Sequence, residues 1–142
     1  MSSYDFLSES NHIFSEADIM QFCQTKKYQL FAYKRLYILS DNIDYLYSAT
    51  EIFRDSTFTE LLVEDSYHKD DFLKLKADLY FIIGKHFLCI DRRITLDYYT
   101  RAYQIIMRIP KYSLDAQLMN ILEEIKETVF QKKTKIIYKF RA

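Results

Sequence analysis

The residues of this chain whose types could support metal chemistry are few and badly spaced for it. The histidines are His12, His68 and His86, and no two of them lie at ligand spacing. His86 and Cys89 are three residues apart, so one helix face could offer two ligands to a soft metal. No second pair of ligands completes such a site. We therefore predict no metal centre, and we interpret His86 as a partly buried core histidine.

Catalysis by a nucleophile or by a phosphate-binding loop finds no better support. A cysteine nucleophile needs a histidine base and an orienting carboxylate nearby, and nothing in the spacing links Cys23 or Cys89 to His68. The chain has one glycine, from which no glycine-rich phosphate loop can be built. We therefore expect neither an enzyme nor a bound cofactor.

The composition is that of a folded, all-helical protein. Hydrophobic residues make up 49% of the 142 and charged residues 28%, which is typical of a chain that folds into a globular domain. One Gly and one Pro fall far below the usual ~7% and ~5%. Tight turns between strands depend on these residues, whereas long helices with short polar links do not. The composition therefore predicts an all-α fold.

Charge balance and cysteine context bound the compartment and the partners. Lys plus Arg equals Asp plus Glu at 20 each, so no strong field attracts nucleic acid, and self-association is permitted. Cys23 and Cys89 both lie in apolar helical context, which favours free buried thiols in a reducing compartment. No signal peptide and no apolar stretch near ~18 residues is visible. We expect an intracellular protein, cytoplasmic or nuclear, with no membrane span and with homo-oligomers possible.

The chain divides into residues 1–14 as a flexible arm, 15–130 as one all-α domain and 131–142 as a basic tail. Helix-start signals recur along the domain, while the polar segment 64–70 is interpreted as a link and residues 16–38 leave open one long helix or two abutting ones. The predicted start signals are Ser15, Ser40-Asp41, a capping box over 57–60, and Ser113.

A helical hairpin over residues 72–110 is the best-defined unit. Its first helix is apolar over so wide an arc that other helices must cover it on more than one side. Gly84 inside that helix costs roughly 1 kcal/mol relative to Ala, so we expect a neighbouring helix to approach closely there. Asp91-Arg92-Arg93 forms the predicted turn, and Pro110 stops the second helix.

The hairpin carries an aromatic, then Ile-Gly, an aromatic, Leu-x-x-Tyr-x-x-Ala and Pro. Over about residues 77–110 this pattern resembles one tetratricopeptide repeat, although the turn is one residue short, Pro110 comes late and Thr95 replaces a usual alanine. The resemblance implies a right-handed array of about five to seven antiparallel helices; a closed helical bundle remains the alternative. The matching residues are Tyr80, Ile83, Gly84, Phe87, Leu96, Tyr99, Ala102 and Pro110.

The same resemblance implies a groove lined by the first helix, with Asp78, Phe81, Lys85 and Leu88 as candidate partner contacts. Such a groove suits an amphipathic helix or an apolar peptide; only Lys85 matches the lysine and asparagine set that captures chaperone tails. Tyr98, with Tyr67 and Tyr112, is a candidate exposed aromatic. The alternative is that these residues are ordinary surface or lie under the N-terminal helices.

The basic tail is the one segment that could contact nucleic acid, an anionic membrane or an acidic protein surface. We therefore expect a non-catalytic protein–protein interaction module, an adaptor or complex subunit that binds a partner helix or peptide. Alternatives are a peptide-sensing or DNA-binding-associated regulator, and a viral or accessory bundle that sequesters a helix. The tail's basic residues are Lys132, Lys133, Lys135, Lys139 and Arg141.

Overall fold

Helices account for most of residues 15–55 and 66–130, the two stretches that the computed structural model describes. No strand occurs within these two stretches, so the predicted all-α class is confirmed. A short 3-10 turn, Lys111–Ser113, precedes the last helix. The α-helices are α1 (Glu16–Ser40), α2 (Asp44–Ile52), α3 (Ser66–His86), α4 (Arg92–Met107) and α5 (Ala116–Val129).

The first helix is a single, continuous element of 25 residues, which settles whether this region holds one helix or two. Ser15 begins it as predicted, because the Ser15 hydroxyl accepts the Asp18 amide at 3.1 Å and the Asp18 carboxylate accepts the Ser15 amide. This reciprocal capping satisfies two amides that would otherwise lack partners.

The junction between α1 and α2 differs from the prediction. Asp41 terminates α1 instead of starting α2, with a left-handed φ of 56° and its amide donating to the Tyr37 carbonyl. The side chain that supports the start of α2 is Asn42, whose Oδ1 accepts the Asp44 amide at 3.0 Å. An aspartate tolerates the left-handed conformation because its short polar side chain can hydrogen-bond locally. It can therefore end a helix as well as start one.

Two further start signals had other outcomes. The capping box at 57–60 lies outside the described residues. The prediction of a link over 64–70 is wrong from Ser66 onward, because α3 begins there. Ser113 lies in the 3-10 turn, and Asp115 instead caps α5 by accepting the Leu118 amide at 2.9 Å. Each of these segments offers several adjacent polar residues, so the pattern alone does not choose the capping one.

The α3–α4 hairpin closes around Gly84, as the sequence predicts. A Cβ at Gly84 would lie 2.6 Å from Cδ1 of Tyr99, and the Thr95 hydroxyl donates to the Gly84 carbonyl at 2.7 Å. The predicted turn Asp91-Arg92-Arg93 is wrong, because the connection runs through residues 87–90. Asp91 caps α4 by accepting the Arg93 amide at 3.0 Å, so Arg92 and Arg93 already lie in that helix. The absence of a side chain at Gly84 therefore allows the two helices to touch.

Ion pairs show how the helices run. Lys34 meets Asp78 and Asp41 lies near His86, so α1 and α3 are parallel. Lys74 meets Asp115 and Lys85 meets Glu124, so α5 runs the same way. The shorter returns, α2 and α4, run antiparallel to them. Two core clusters result, one among α1, α2 and α3 and one among α3, α4 and α5. As expected, α3 is covered on more than one side.

A candidate binding cleft

The three parallel helices α1, α3 and α5 enclose a cleft of about 270 Å³. Leu30, Leu79 and Leu118 belong to the buried core and also line this opening, so the edge of the core forms part of the cleft. Phe31 is 51% exposed on the α1 side, whereas the apolar lining residues of α3 and α5 are buried or half-buried. The apolar lining is Leu30, Phe31, Leu75, Leu79, Ile82 and Leu118.

Asp78 lies in the middle of the cleft and links all three helices. Its carboxylate accepts Lys34 Nζ of α1 at 2.8 Å and Gln117 Nε2 of α5 at 3.4 Å. The Asp78 side chain is only 15% exposed, so these two partners replace much of the water that a free carboxylate would hold. Asp78 was predicted to contact a partner. It lies in the cleft, where its hydrogen bonds join α3 to α1 and α5.

The remaining lysines of this side also meet carboxylates of a neighbouring helix. Lys27 of α1 pairs with Asp71 of α3, and Lys85 Nζ of α3 lies 3.3 Å from Glu124 of α5. Lys74 completes the set, with Nζ 3.9 Å from an oxygen of Asp115 just before α5. The charges along the cleft therefore largely balance one another within the fold.

Two more exposed apolar residues of α1 lie on the same side of the helix as Phe31, beyond the cleft. Met20, Phe31 and Ile38 are spaced by 11 and 7 residues (31 − 20 and 38 − 31), close to three and two helical turns. All three are about half exposed, at 55%, 51% and 59%. Lys27 and Lys34 lie between them on this face, so α1 offers a ligand separate apolar side chains at this edge of the cleft.

Two of the other predicted groove residues lie elsewhere. Phe81 is only 7% exposed and its ring stacks on Tyr99 at 5.2 Å between centroids, so the prediction that it lines an open groove is wrong. Lys85 is exposed as expected, with its Nζ 5.6 Å from the Phe81 centroid and paired with Glu124. The Lys85 stem covers the core residue that was expected to be at the surface.

The remaining candidates divide between exposed and covered positions. Leu88 is half-buried in the connection after α3, away from the cleft lining. Tyr98 is half-buried and its ring meets Tyr80 at 5.7 Å, so it is not the exposed aromatic that was predicted. Tyr112 is 88% exposed, which confirms that prediction. The Tyr67 side chain and the tail residues Lys132, Lys133, Lys135, Lys139 and Arg141 lie outside the described part.

The α1 and α5 contributions to the cleft were not predicted. A signal for α1 was present in the spacing, because Lys27 and Lys34 are seven residues apart and so are Asp71 and Asp78. Two parallel helices with matched seven-residue charge spacing can pair twice in one register. No comparable pattern singles out Gln117.

Two of the reactive side chains, Cys23 and His86, are engaged in packing, and Cys89 is not. Cys23 is buried, as predicted, but Cys89 is exposed, so that half of the prediction is wrong; neither is in a disulfide bond. His86 is partly buried as expected, and its Nδ1 lies 2.8 Å from the Tyr37 hydroxyl. Burial, with a smaller effect from Asp41, raises the pKa of Tyr37. The described residues contain no group of three side chains that could hold a metal ion.

Comparisons with other proteins leave the cleft to be interpreted from its own geometry. No protein family, no curated protein and no solved structure matches this chain. The tetratricopeptide resemblance therefore stays a prediction. Within 15–55 and 66–130, no helix is both long enough and apolar enough to cross a bilayer.

Proposed function

We propose that this protein is a non-catalytic interaction module that binds an amphipathic helix or apolar peptide of a partner protein in the α1–α3–α5 cleft. The observation that carries the proposal is an apolar-lined opening between three parallel helices, bordered by the exposed Phe31. An array of tetratricopeptide-like hairpins would present its first helices along one groove in this way, so the resemblance supports the same surface.

The size of the cleft favours anchoring side chains over a small-molecule ligand. Its volume of about 270 Å³ lies just below the ~300–1,000 Å³ typical of small-molecule pockets. Interfaces draw much of their affinity from a few large side chains seated in such depressions. An amphipathic helix would place one or two anchors over Leu79 and Leu118 while its flank packs on the Phe31 ring.

The internal charge pairing favours an apolar ligand. Lys34 and Lys74 already have carboxylate partners in the fold, so a charged ligand would have to displace them. Apolar contact needs no displacement, and burying apolar surface contributes about 25 cal/mol per Å². We therefore expect affinity in the cleft to come from buried apolar area.

A photo-crosslinking experiment tests this proposal. A benzophenone side chain placed at Phe31 should crosslink a discrete partner in extracts of the protein's own cells, whereas the same group at the exposed Tyr112 should not. Binding of the purified partner, measured by calorimetry, should then weaken at least tenfold in Phe31→Asp, since about 1.4 kcal/mol per anchor corresponds to that factor.

The control is Tyr112→Asp, which makes the same change at a fully exposed position outside the cleft. Its affinity should equal that of the wild type, and both variants should keep the wild-type circular dichroism spectrum. If Phe31→Asp binds the crosslinked partner as tightly as the wild type does, the cleft is not the binding site and the proposal fails.

A further inference from the structure

Lys76 lies on the other side of α3 from the cleft. Among the described residues it is the one lysine or arginine that is half-buried and has no carboxylate within ion-pair distance. The other unpaired cations of residues 15–55 and 66–130 are exposed to solvent. Water therefore solvates their charges, but it reaches the Lys76 ammonium only in part.

Aromatic rings surround the Lys76 ammonium. Its Nζ lies 5.8 Å from the centroid of Phe53, just after α2, and 5.8 Å from that of Tyr80 on α3. Tyr80 meets Tyr98 of α4 edge to face at 5.7 Å, and the Arg101 guanidinium lies 5.3 Å from the Tyr98 centroid. We call these five residues the aromatic seam. Ring faces attract cations, which holds the ammonium in place without neutralising it.

The electrostatic surroundings of the seam are positive. Burial lowers the pKa of Lys76, and the nearby Arg108 lowers it further. Arg101 belongs to the seam and Arg54 lies near Tyr80, and within the described residues each pairs with a carboxylate of its own local segment, Asp97 or Glu51. An anion that entered the seam would meet one partly desolvated ammonium, with the Arg108 guanidinium nearby.

Packing alone does not account for a lysine here. The Lys76 stem covers apolar surface, but an unbranched apolar side chain would do the same without a partly desolvated charge. The charge is useful if a carboxylate arrives from outside, because pairing inside a half-buried aromatic site is stronger than pairing in water. The seam therefore has the features of one half of an ion pair.

We propose that the aromatic seam binds an acidic segment of a partner protein, with a glutamate or aspartate carboxylate pairing with Lys76 between Phe53 and Tyr80. Two observations favour a protein carboxylate over single-stranded nucleic acid. The Tyr80 and Tyr98 rings pack edge to face, so they form no stacking platform. Arg54 and Arg101 already have carboxylate partners, so no continuous track of free cations follows a phosphate backbone.

An NMR titration of the full chain with a blocked hexaglutamate peptide tests the proposal. We expect saturable shifts of the Lys76 side-chain signals and of the Tyr80 and Tyr98 rings, together with a rise in the measured pKa of Lys76 on binding. A blocked hexaglutamine peptide should leave these signals unchanged. Raising the salt concentration should weaken the hexaglutamate effect, since screening acts on partly exposed pairs.

Matched variants separate the seam from other basic surfaces. Lys76→Met keeps the length of the stem and should reduce the affinity for hexaglutamate at the seam at least tenfold. Lys126→Met removes an exposed, unpaired charge from α5 and should change nothing at the seam. Lys76→Arg should retain binding, and thermal melts of all three variants establish that they fold.

Three results would overturn the proposal. Seam signals that do not respond to hexaglutamate would show that no carboxylate enters. Equal affinity of the wild type and folded Lys76→Met would place binding elsewhere. An octathymidylate that shifts the seam signals at lower concentration than hexaglutamate would identify a nucleic-acid site instead. Phe31→Asp should leave the titration unchanged, so the seam stands or falls independently of the cleft.

Discussion

The cleft and the aromatic seam lie on two sides of the same helix, α3, and they treat charge in opposite ways. In the cleft, the Lys34 ammonium is paired with Asp78 of the neighbouring helix. In the seam, Lys76 has aromatic neighbours and no carboxylate within the described residues. One side uses charge to fix the register of parallel helices, and the other keeps a positive charge available.

Because of this difference, the cleft and the seam suit different kinds of ligand. Cross-helix pairs such as Lys85–Glu124 satisfy charges inside the fold, so a ligand gains little by approaching them. An apolar ligand suits that side, whereas an acidic ligand suits the seam. A protein with both surfaces could join two partners at once, or hold one partner by two segments.

The largest expected effect comes from breaking the hairpin that supports both sides. In Gly84→Ala, the new Cβ would lie 2.6 Å from a fully buried Tyr99 ring, so the ring or the helices must shift. Overpacking of this kind costs about 1–3 kcal/mol, and Ala regains roughly 1 kcal/mol over Gly in a helix, so a net loss of up to about 2 kcal/mol remains. We expect urea denaturation to show that loss in the free energy of unfolding, and ligand binding at the cleft and the seam to weaken together.

Thr95→Ser is the matched control, because it keeps the hydroxyl that bonds the Gly84 carbonyl and adds no atom to the contact. It should lose less stability than Gly84→Ala. If Gly84→Ala unfolds at the wild-type urea concentration, the close approach of α3 and α4 is not rigid. The cleft and the seam then do not depend on that contact.

Sequence patterns identified the hairpin because local signals agreed there. The apolar spacing and the unusual glycine both indicated two helices in close contact, and Gly84 does meet Tyr99. The turn between them was placed too late, at 91–93, because Asp91 can cap a helix as well as belong to a turn. Phe81 was placed wrongly because an aromatic on a helix apolar on most sides can face either the core or a groove. Only the position of α4 and α5 decides between these, and that is a tertiary property.

The cleft itself could be predicted only in part. Asp78 was identified from its position on α3, but its partners Lys34 and Gln117 are 44 and 39 residues away in the sequence. The seam was missed because Lys76 in a helical pattern is ordinarily a solvated residue. Its partial burial depends on Phe53, which approaches only when α2 folds back.

A substitution at the buried Tyr99 should alter the stability of the fold without altering the surface of the cleft or of the seam. The Tyr99 hydroxyl is buried and has no hydrogen-bond partner among the described residues, which costs about 1–3 kcal/mol. Tyr99→Phe removes that group and keeps the ring, so we expect a gain near 1 kcal/mol in the free energy of unfolding. Binding at the cleft and the seam should be unchanged.

The same variant has a pH signature. Burial, with a smaller contribution from Glu124, raises the pKa of Tyr99 from 10.0 to about 12. The folded protein keeps this proton between pH 10 and 12 while the unfolded chain releases it, so stability falls as pH rises through that window. Tyr99→Phe should show a shallower alkaline loss by up to about 1.4 kcal/mol per pH unit. Parallel alkaline denaturation curves would contradict this.

The smallest effects come from removing one charge on each side of α3. Loss of a charge should lower the stability on the cleft side and leave it unchanged or slightly higher on the seam side. Asp78→Asn leaves Lys34 without its partner and weakens the link to Gln117, so we expect a loss of about 1 kcal/mol, at the upper end for a partly exposed pair. Lys76→Met removes a half-buried charge with no carboxylate partner in the described part, so its stability should be unchanged or slightly higher.

Thermal or urea denaturation of the two variants in one buffer measures the contrast, with Lys126→Met as the baseline for loss of an exposed charge. Raising the salt concentration should reduce the stability lost in Asp78→Asn, because screening weakens the Lys34–Asp78 pair in the wild type. The difference in stability between the two variants should therefore become smaller. Equal losses in both variants would mean that Lys76 is stabilised by its rings as strongly as Lys34 is by Asp78. The seam would then be a structural cation–π site, and its charge would not be held in reserve for a ligand.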